Sequence, residues 1–185
     1  MSYSQWVSRI RVPAGFVIAA LYLFAAEPQP LTLLLGCAVA LLGLALRAAA
    51  AGVIEKNARL AISGPYAHTR NPLYLGSATA ALGFSLAAGK WWLLALLAGF
   101  FATVYVPVMR KEAGRMRELF GEDYAVYSEK VPLLIPRLTP WRPAGTASVA
   151  FDWQRYRNNH EYRAATAFVL IILFLIAKMF WLEHS

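Results

Sequence analysis

An all-α bundle embedded in a membrane is the fold class this sequence predicts, and three observations predict it. Of 185 residues, 59% are hydrophobic, and the mean hydropathy is +0.47. That is too apolar for an ordinary soluble domain. The apolar residues gather into five runs, several near the length of about 20 residues that a bilayer demands. The basic residues fall almost entirely between alternate runs, as the topology of membrane helices requires. The formal charge of +8 then reads as a basic face against anionic headgroups, not as a nucleic-acid surface. The single cysteine, Cys37, sits within an apolar run. It leaves no disulfide framework or zinc pattern within the chain and reads as a small hydrophobe.

The first run, Val12–Ala26, is short and closed by Pro28 and Pro30. It lacks a small-residue cleavage site and leads quickly into another apolar run, so it is expected to be a retained span. The second extends from Leu31 to Ile54, interrupted only by Arg47. The third and fourth, Pro72–Ala88 and Trp91–Met109, are uncharged and joined by a very short turn at Gly89-Lys90. Pro107 should kink the fourth. A polar helix over Arg110–Phe120 should come next, stopped by Gly121. Pro132 and Pro136 forbid a regular helix around them, so Val131–Pro136 is expected to be an irregular apolar segment folded back on the membrane face. Trp141–Ala150 reads as a linker. Phe151–Arg163 reads as a short amphipathic helix with Trp153, Tyr156 and His160 on one face, an interfacial anchor or a lid. The fifth span is Ala164–Leu182, with Lys178 near enough to its end to snorkel.

Arg9 and Arg11 precede the first span, and Lys56, Arg59 and Arg70 lie between the second and third. Ten more basic residues, from Arg110 to Arg163, lie between the fourth and fifth, leaving Lys90 and Lys178 for the other side. The expected topology is a cytoplasmic N-terminus and a C-terminus across the membrane. One bundle is expected, with residues 1–140 as its core and 141–185 as linker, amphipathic helix and last span.

The densest polar stretch, Ser63 to Gly76, holds Tyr66, His68, Arg70, Asn71 and Tyr74 at the entrance of the third helix. Glu112 lies just beyond the kinked end of the fourth. The tight hairpin between these helices puts both groups at one membrane depth. Arg70 can hold a carboxylate and Glu112 an ammonium, while the tyrosine rings suit a cation or a purine. Those are the functional groups of S-adenosylmethionine. Headgroup anchoring by the same residues is the bland alternative, and spacing alone leaves both open. There is no glycine-rich phosphate loop, strand pattern or paired-His spacing, so no Rossmann domain and no metal site is expected. Gly76, Ala80 and Gly83 permit close helix packing, or a ligand's approach at Gly76.

Gly64-Pro65-Tyr66, then Arg70-Asn71-Pro72-Leu73-Tyr74-Leu75-Gly76, resembles the isoprenylcysteine carboxyl methyltransferase family and its phospholipid-methyltransferase relatives. A second block agrees: Glu112, Phe120-Gly121, Tyr124, Tyr127, Val131-Pro132 and Ile135-Pro136. The likeness covers about residues 30 to 138. It implies an integral-membrane methyltransferase using S-adenosylmethionine in a cytoplasmic pocket, with a lipid or prenylated small molecule entering from the bilayer. By position, Tyr66, Asn71, Pro72, Leu73 and Tyr74 would line the cofactor pocket, Leu60 and Ala61 would offer backbone contacts, and Glu112 would bind the cofactor. Arg70 would take an orienting, catalytic role. The chain departs from the family at Asn71, where histidine is usual, and at Ala113, where a second glutamate is common. It departs again at Val108, where prenylcysteine enzymes carry an arginine. Steroid-reductase-like membrane enzymes that bind NADPH share part of the cassette and form a second hypothesis. A non-enzymatic membrane protein that keeps the cassette is a third.

Overall fold

The computed structural model describes residues 3–55, 58–143, 145 and 149–184, with side chains from residue 13 onward. Lys56, the middle of the Trp141–Ala150 linker, and the side chains of Arg9 and Arg11 lie outside the described residues. Among the described residues every regular element is helical: α1 (Tyr3–Ala25), α2 (Pro30–Ala51), α3 (Pro72–Ala87), α4 (Trp91–Phe100), α5 (Val106–Lys130), α6 (Trp153–Asn158) and α7 (Tyr162–Glu183). Three are long and apolar enough to cross a membrane: α2, the continuous rod Trp91–Lys130 formed by α4 and α5, and α7. Pro13–Ala25 of α1 and all of α3 are shorter apolar helices. The protein is an integral-membrane helical bundle.

α2 starts with Pro30 in its first turn, where a missing N–H costs nothing. Gln29 N–H donates to Thr32 Oγ1 and the Thr32 hydroxyl to Gln29 O, both at 3.1 Å. α2 and α3 then run antiparallel with their backbones almost touching. Gly36 and Gly43 of α2 face Gly83, Ala87, Gly76 and Ala80 of α3. A Cβ on Gly76 would fall 2.6 Å from Gly43 O and 2.7 Å from Arg47 Cγ. The small-residue stripe is therefore a helix–helix seam, and no ligand can approach Gly76 on that face.

The fourth span does not simply kink at Pro107. A π-helical turn, Phe101–Tyr105, precedes it and carries α4 into α5 without a break. Proline removes one donor and crowds the preceding turn, and a wide turn just before it accommodates both. Gly121 interrupts α5 in a left-handed conformation, φ 51° and ψ −122°. The helix then resumes to Lys130 instead of stopping. Glu122 and Asp123 suit the positive end of the new helical stretch, and Tyr124 and Tyr127 give it a buried face.

Away from the polar cassette, Tyr22, Leu33, Leu93 and Leu175 form a core where α1, α2, α4 and α7 converge. The Tyr22 hydroxyl donates to Phe84 O at 2.8 Å. Lys178 does not snorkel outward. Its ammonium donates to Leu23 O at 2.8 Å and Phe24 O at 2.6 Å, capping the end of α1. Lys90 pairs with Glu27 at 2.5 Å. The amphipathic helix is shorter than its pattern suggests. α6 ends at Asn158, and His160 turns the chain with φ 55°, off the face that Trp153 and Tyr156 share.

Candidate functional site

The cassette is a short 3-10 turn, Gly64–Ala67, followed by an irregular stretch that enters α3 at Pro72. Its shape is imposed by the irregular segment after α5. Arg70 N–H donates to Pro132 O at 2.9 Å, Arg137 N–H to His68 O at 2.9 Å, and Trp141 N–H to Ala67 O at 2.9 Å. Side chains complete the clip: the Thr69 hydroxyl donates to Leu134 O and the Asn71 amide to Leu133 O, each at 2.9 Å. His68 Nδ1 lies 2.8 Å from Arg137 O. A carbonyl only accepts, so Nδ1 carries the proton and the ring serves the clip. The proline-rich segment thus meets its backbone needs on the cassette.

On the other side of the cassette is a cavity of about 260 Å³. Leu60, Ala61, Tyr66, Arg70, Asn71, Pro72, Leu73, Tyr74 and Glu112 all line it. Every residue assigned to the site from the sequence is therefore gathered around one space. Ile54, Glu55, Arg59, Ala113, Arg115, Met116, Tyr124 and Tyr127 line it too. Tyr124 and Tyr127 belonged to the second sequence block, which was their available signal. A wider cleft of about 770 Å³ adjoins the cavity, with Glu55, Arg59, Leu60 and Ala61 common to both walls.

The two charged walls are built differently. The Tyr74 hydroxyl donates to Glu112 Oε1 at 2.9 Å, tying α3 to α5 across the cavity. Arg70 Nη1 donates to the Tyr124 hydroxyl at 3.1 Å, and its guanidinium carbon lies 5.8 Å from that ring's centre. Tyr127 donates to Tyr66 O at 2.8 Å from full burial. Burial is the main cause that raises the hydroxyl pKa of Tyr66, and the Glu161 charge adds to the effect. Tyr66 therefore remains a neutral donor at physiological pH. Removing the Tyr127 hydroxyl strands a buried carbonyl, which costs about 1–3 kcal/mol. Tyr127→Phe is thus expected to melt earlier than wild type in detergent, and an unchanged melting curve would count against this bond as a support of the cassette.

Among the described residues, two buried side-chain polar atoms lack a hydrogen-bond partner: Tyr66 Oη and Arg70 Nε. Buried polar groups are rarely left so, and both residues border the cavity. An acidic wall at Glu112, a basic wall at Arg70 and two stranded donors match a zwitterionic amino-acid group with a further polar portion. The residues present fit S-adenosylmethionine.

Fold and site together define a class: a helical membrane protein with a small polar-ended cavity at the cassette end of α3 and α5. The chain belongs to the phospholipid methyltransferase family, whose model matches residues 31–123, from the start of α2 into the resumed part of α5. It is a member of a family of membrane methyltransferases. Among curated proteins it is similar to the cobalt-zinc-cadmium resistance protein CzcN of Cupriavidus metallidurans, 31% identical over 131 residues, which are 71% of this chain and 57% of that protein. It is also similar to the nickel-cobalt-cadmium resistance protein NccN of Alcaligenes xylosoxydans xylosoxydans, 32% identical over 92 residues, 50% of this chain and 43% of that protein. The chain thus spans about half the length of these relatives. No solved structure matches it.

Proposed function

We propose that the protein is an S-adenosylmethionine-dependent methyltransferase acting on a lipid-like acceptor that reaches the cavity from the bilayer. One observation carries this reading: Arg70, Glu112 and the seven other cassette-related residues converge on one cavity that also holds two unsatisfied buried donors. When bound, S-adenosylmethionine supplies a methyl group already activated on a sulfonium. The chain's own residues then need to bind, orient and exclude water. Glu112 would accept hydrogen bonds from the ammonium, and Leu60 and Ala61 would offer backbone groups. Tyr66, Pro72, Leu73 and Tyr74 would form the walls. Asn71 spends its amide N–H on Leu133 O, so it serves the pocket mainly by holding the clip. Arg70, whose buried Nε has no partner among the described residues, would orient a carboxylate or the acceptor.

Val108, where the prenylcysteine enzymes have an arginine, is buried against Val104 and packed with Tyr74 and Tyr105. That position offers no cation to a carboxylate, which favours an acceptor other than one presenting a prenylcysteine carboxylate. Labelled S-adenosylmethionine with a native lipid extract is expected to transfer label to a lipid-soluble product identifiable by mass spectrometry. Farnesylcysteine analogues are expected to be poor acceptors. Efficient labelling of such an analogue would overturn the acceptor assignment, and a preference for NADPH over S-adenosylhomocysteine would overturn the methyltransferase. The cavity would face the cytoplasm, on the positive-inside argument. The two basic residues of the opposite face are both spent on internal partners, Glu27 and the end of α1.

A further inference from the structure

Arg47 is the one charge within the apolar run of α2, and it is the hub of a polar network inside the bundle. Its Nε lies 2.5 Å from Glu161 Oε1 and its Nη2 donates to Glu161 Oε2 at 3.0 Å, a forked pair. Its Nη1 reaches Leu73 O at 3.3 Å and also Ser77 Oγ, within the first turns of α3. The Glu161 side chain is only 8% exposed. A charge held in a membrane bundle is costly unless it is paired, and such residues usually serve a site. This network lies directly behind Leu73, whose other neighbours form the cavity wall.

Glu161 does not act alone. The stretch before it fastens onto the end of α2 at four places. Asp152 N–H donates to Gly52 O at 3.0 Å. The Asn159 amide donates to Ala51 O at 3.0 Å and Ile54 O at 3.2 Å. Arg155 pairs with Glu55 at 2.6 Å. The Phe151 ring covers Gly52 so closely that a Cβ there would collide with it. Ile54 and Glu55 are themselves cavity-lining residues. All these clamping groups lie beyond the family-matched residues 31–123.

We propose that the segment from Phe151 to Glu161 is a clamp that completes the ligand cavity from outside the methyltransferase core, with Arg47 and Glu161 as its positioning pair. Arg47 and Glu161 touch no ligand. They fix Leu73, and through it the neighbouring Tyr74, while Asn159 and Arg155 fix the rim at Ile54 and Glu55. The inference rests on the methyltransferase reading for the identity of the ligand, but not for the mechanical role.

Two readouts on detergent-solubilised full-length protein test it. The first is hydrogen exchange of the amides of residues 73–77 without ligand. The second is S-adenosylhomocysteine affinity by calorimetry, well below the melting temperature. In Glu161→Gln, which keeps shape but loses the charge, exchange at 73–77 is expected to rise about tenfold and affinity to fall about tenfold. Arg47→Lys should behave alike, because an ammonium cannot hold the fork, Leu73 O and Ser77 together. The double variant should be no worse than either single one. Asn159→Ala, a milder change should the ion-pair variants fail to fold, should loosen residues 51–55 and weaken binding in part. Lys178→Ala, which frees the far end of α7 from α1, should leave both readouts as in wild type. Unchanged exchange at 73–77 in Glu161→Gln would overturn the clamp whatever the ligand does. Raised exchange with unchanged affinity would make the pair a fold support only and overturn the positioning role. If wild type itself binds no S-adenosylhomocysteine, the methyltransferase reading falls, and the exchange result alone decides the clamp.

Discussion

Glu112→Ala is expected to weaken S-adenosylhomocysteine binding by about ten- to a hundredfold while leaving the melting temperature near that of wild type. The size comes from losing a charge-assisted hydrogen bond, about 1.5–3 kcal/mol. The unchanged melting comes from the structure. Glu112 is solvent-exposed on α5, and the Tyr74 hydroxyl donates to it. Surface groups of that kind contribute little to stability. Tyr74→Phe isolates the remainder. It keeps the ring against Tyr105, 5.7 Å between centroids, and removes only the hydroxyl that aims the carboxylate. Its loss of affinity should be the smaller of the two. Calorimetry on purified protein checks both. Equal affinity in Glu112→Ala and wild type would remove Glu112 from the site and, with it, the main support for the cofactor.

The gathering of the candidate residues around one cavity was legible from the sequence because the elements that carry them are joined by short connections. The turn at Gly89-Lys90 forces α3 and the rod of α4 and α5 to lie side by side, so Tyr74 and Glu112 had to meet. The residues that hold the site in shape come from far along the chain and carried no such constraint. Arg47 was visible as a charge in an apolar run, but its partner Glu161 is 114 positions away. Glu161 sits in a stretch whose pattern suggested an interfacial anchor or a lid and pointed to no partner on α2. Likewise Val131–Pro136 could be recognised as irregular from its prolines. Its docking onto Ala67–Asn71 uses its own carbonyls as acceptors, from Arg70 N–H, the Thr69 hydroxyl and the Asn71 amide, and a carbonyl leaves no mark in residue type.

The helix ends show the same division. Pro72 marked a start correctly, since proline acts through its own ring, whereas Pro30, expected to close the first span, opens α2. Gly121 was expected to end its helix, yet only interrupts it. Glycine permits a left-handed residue but does not dictate the conformation of the residues after it. Here Tyr124 and Tyr127 bury a face that stabilises a further helical stretch. His160 reversed the chain where its spacing from Trp153 and Tyr156 pointed to a continuous helix. A non-glycine residue at φ 55° is strained. Glu161 and Asn159 on either side are the residues anchored to Arg47 and to the end of α2. Tertiary anchoring outweighs helical periodicity at that corner.

The largest expected loss of stability belongs to the seam between α2 and α3. Gly83→Leu should prevent the two helices from docking. Even a single added carbon at Gly83 would stand 2.6 Å from Gly36 O and 2.7 Å from Ala40 Cα. These obstacles are backbone atoms, which cannot swing aside as a side chain does. Overpacking a core that can relax costs about 1–3 kcal/mol, and here relaxation means separating two helices along their length. In a bilayer the loss is compounded, because close van der Waals contact supplies much of the association energy between apolar helices. The effect must also reach the site, since the same seam continues through Gly43 and Gly76 to Arg47. Gly99→Leu is the matched control: nothing stands within 4 Å of a Cβ there, and leucine favours the helix over glycine by about half a kcal/mol or more. Thermal unfolding in detergent should show Gly83→Leu strongly destabilised or unfolded, and Gly99→Leu at or above wild type. A Gly83→Leu protein that melts like wild type would mean that α2 and α3 do not pack through their glycines.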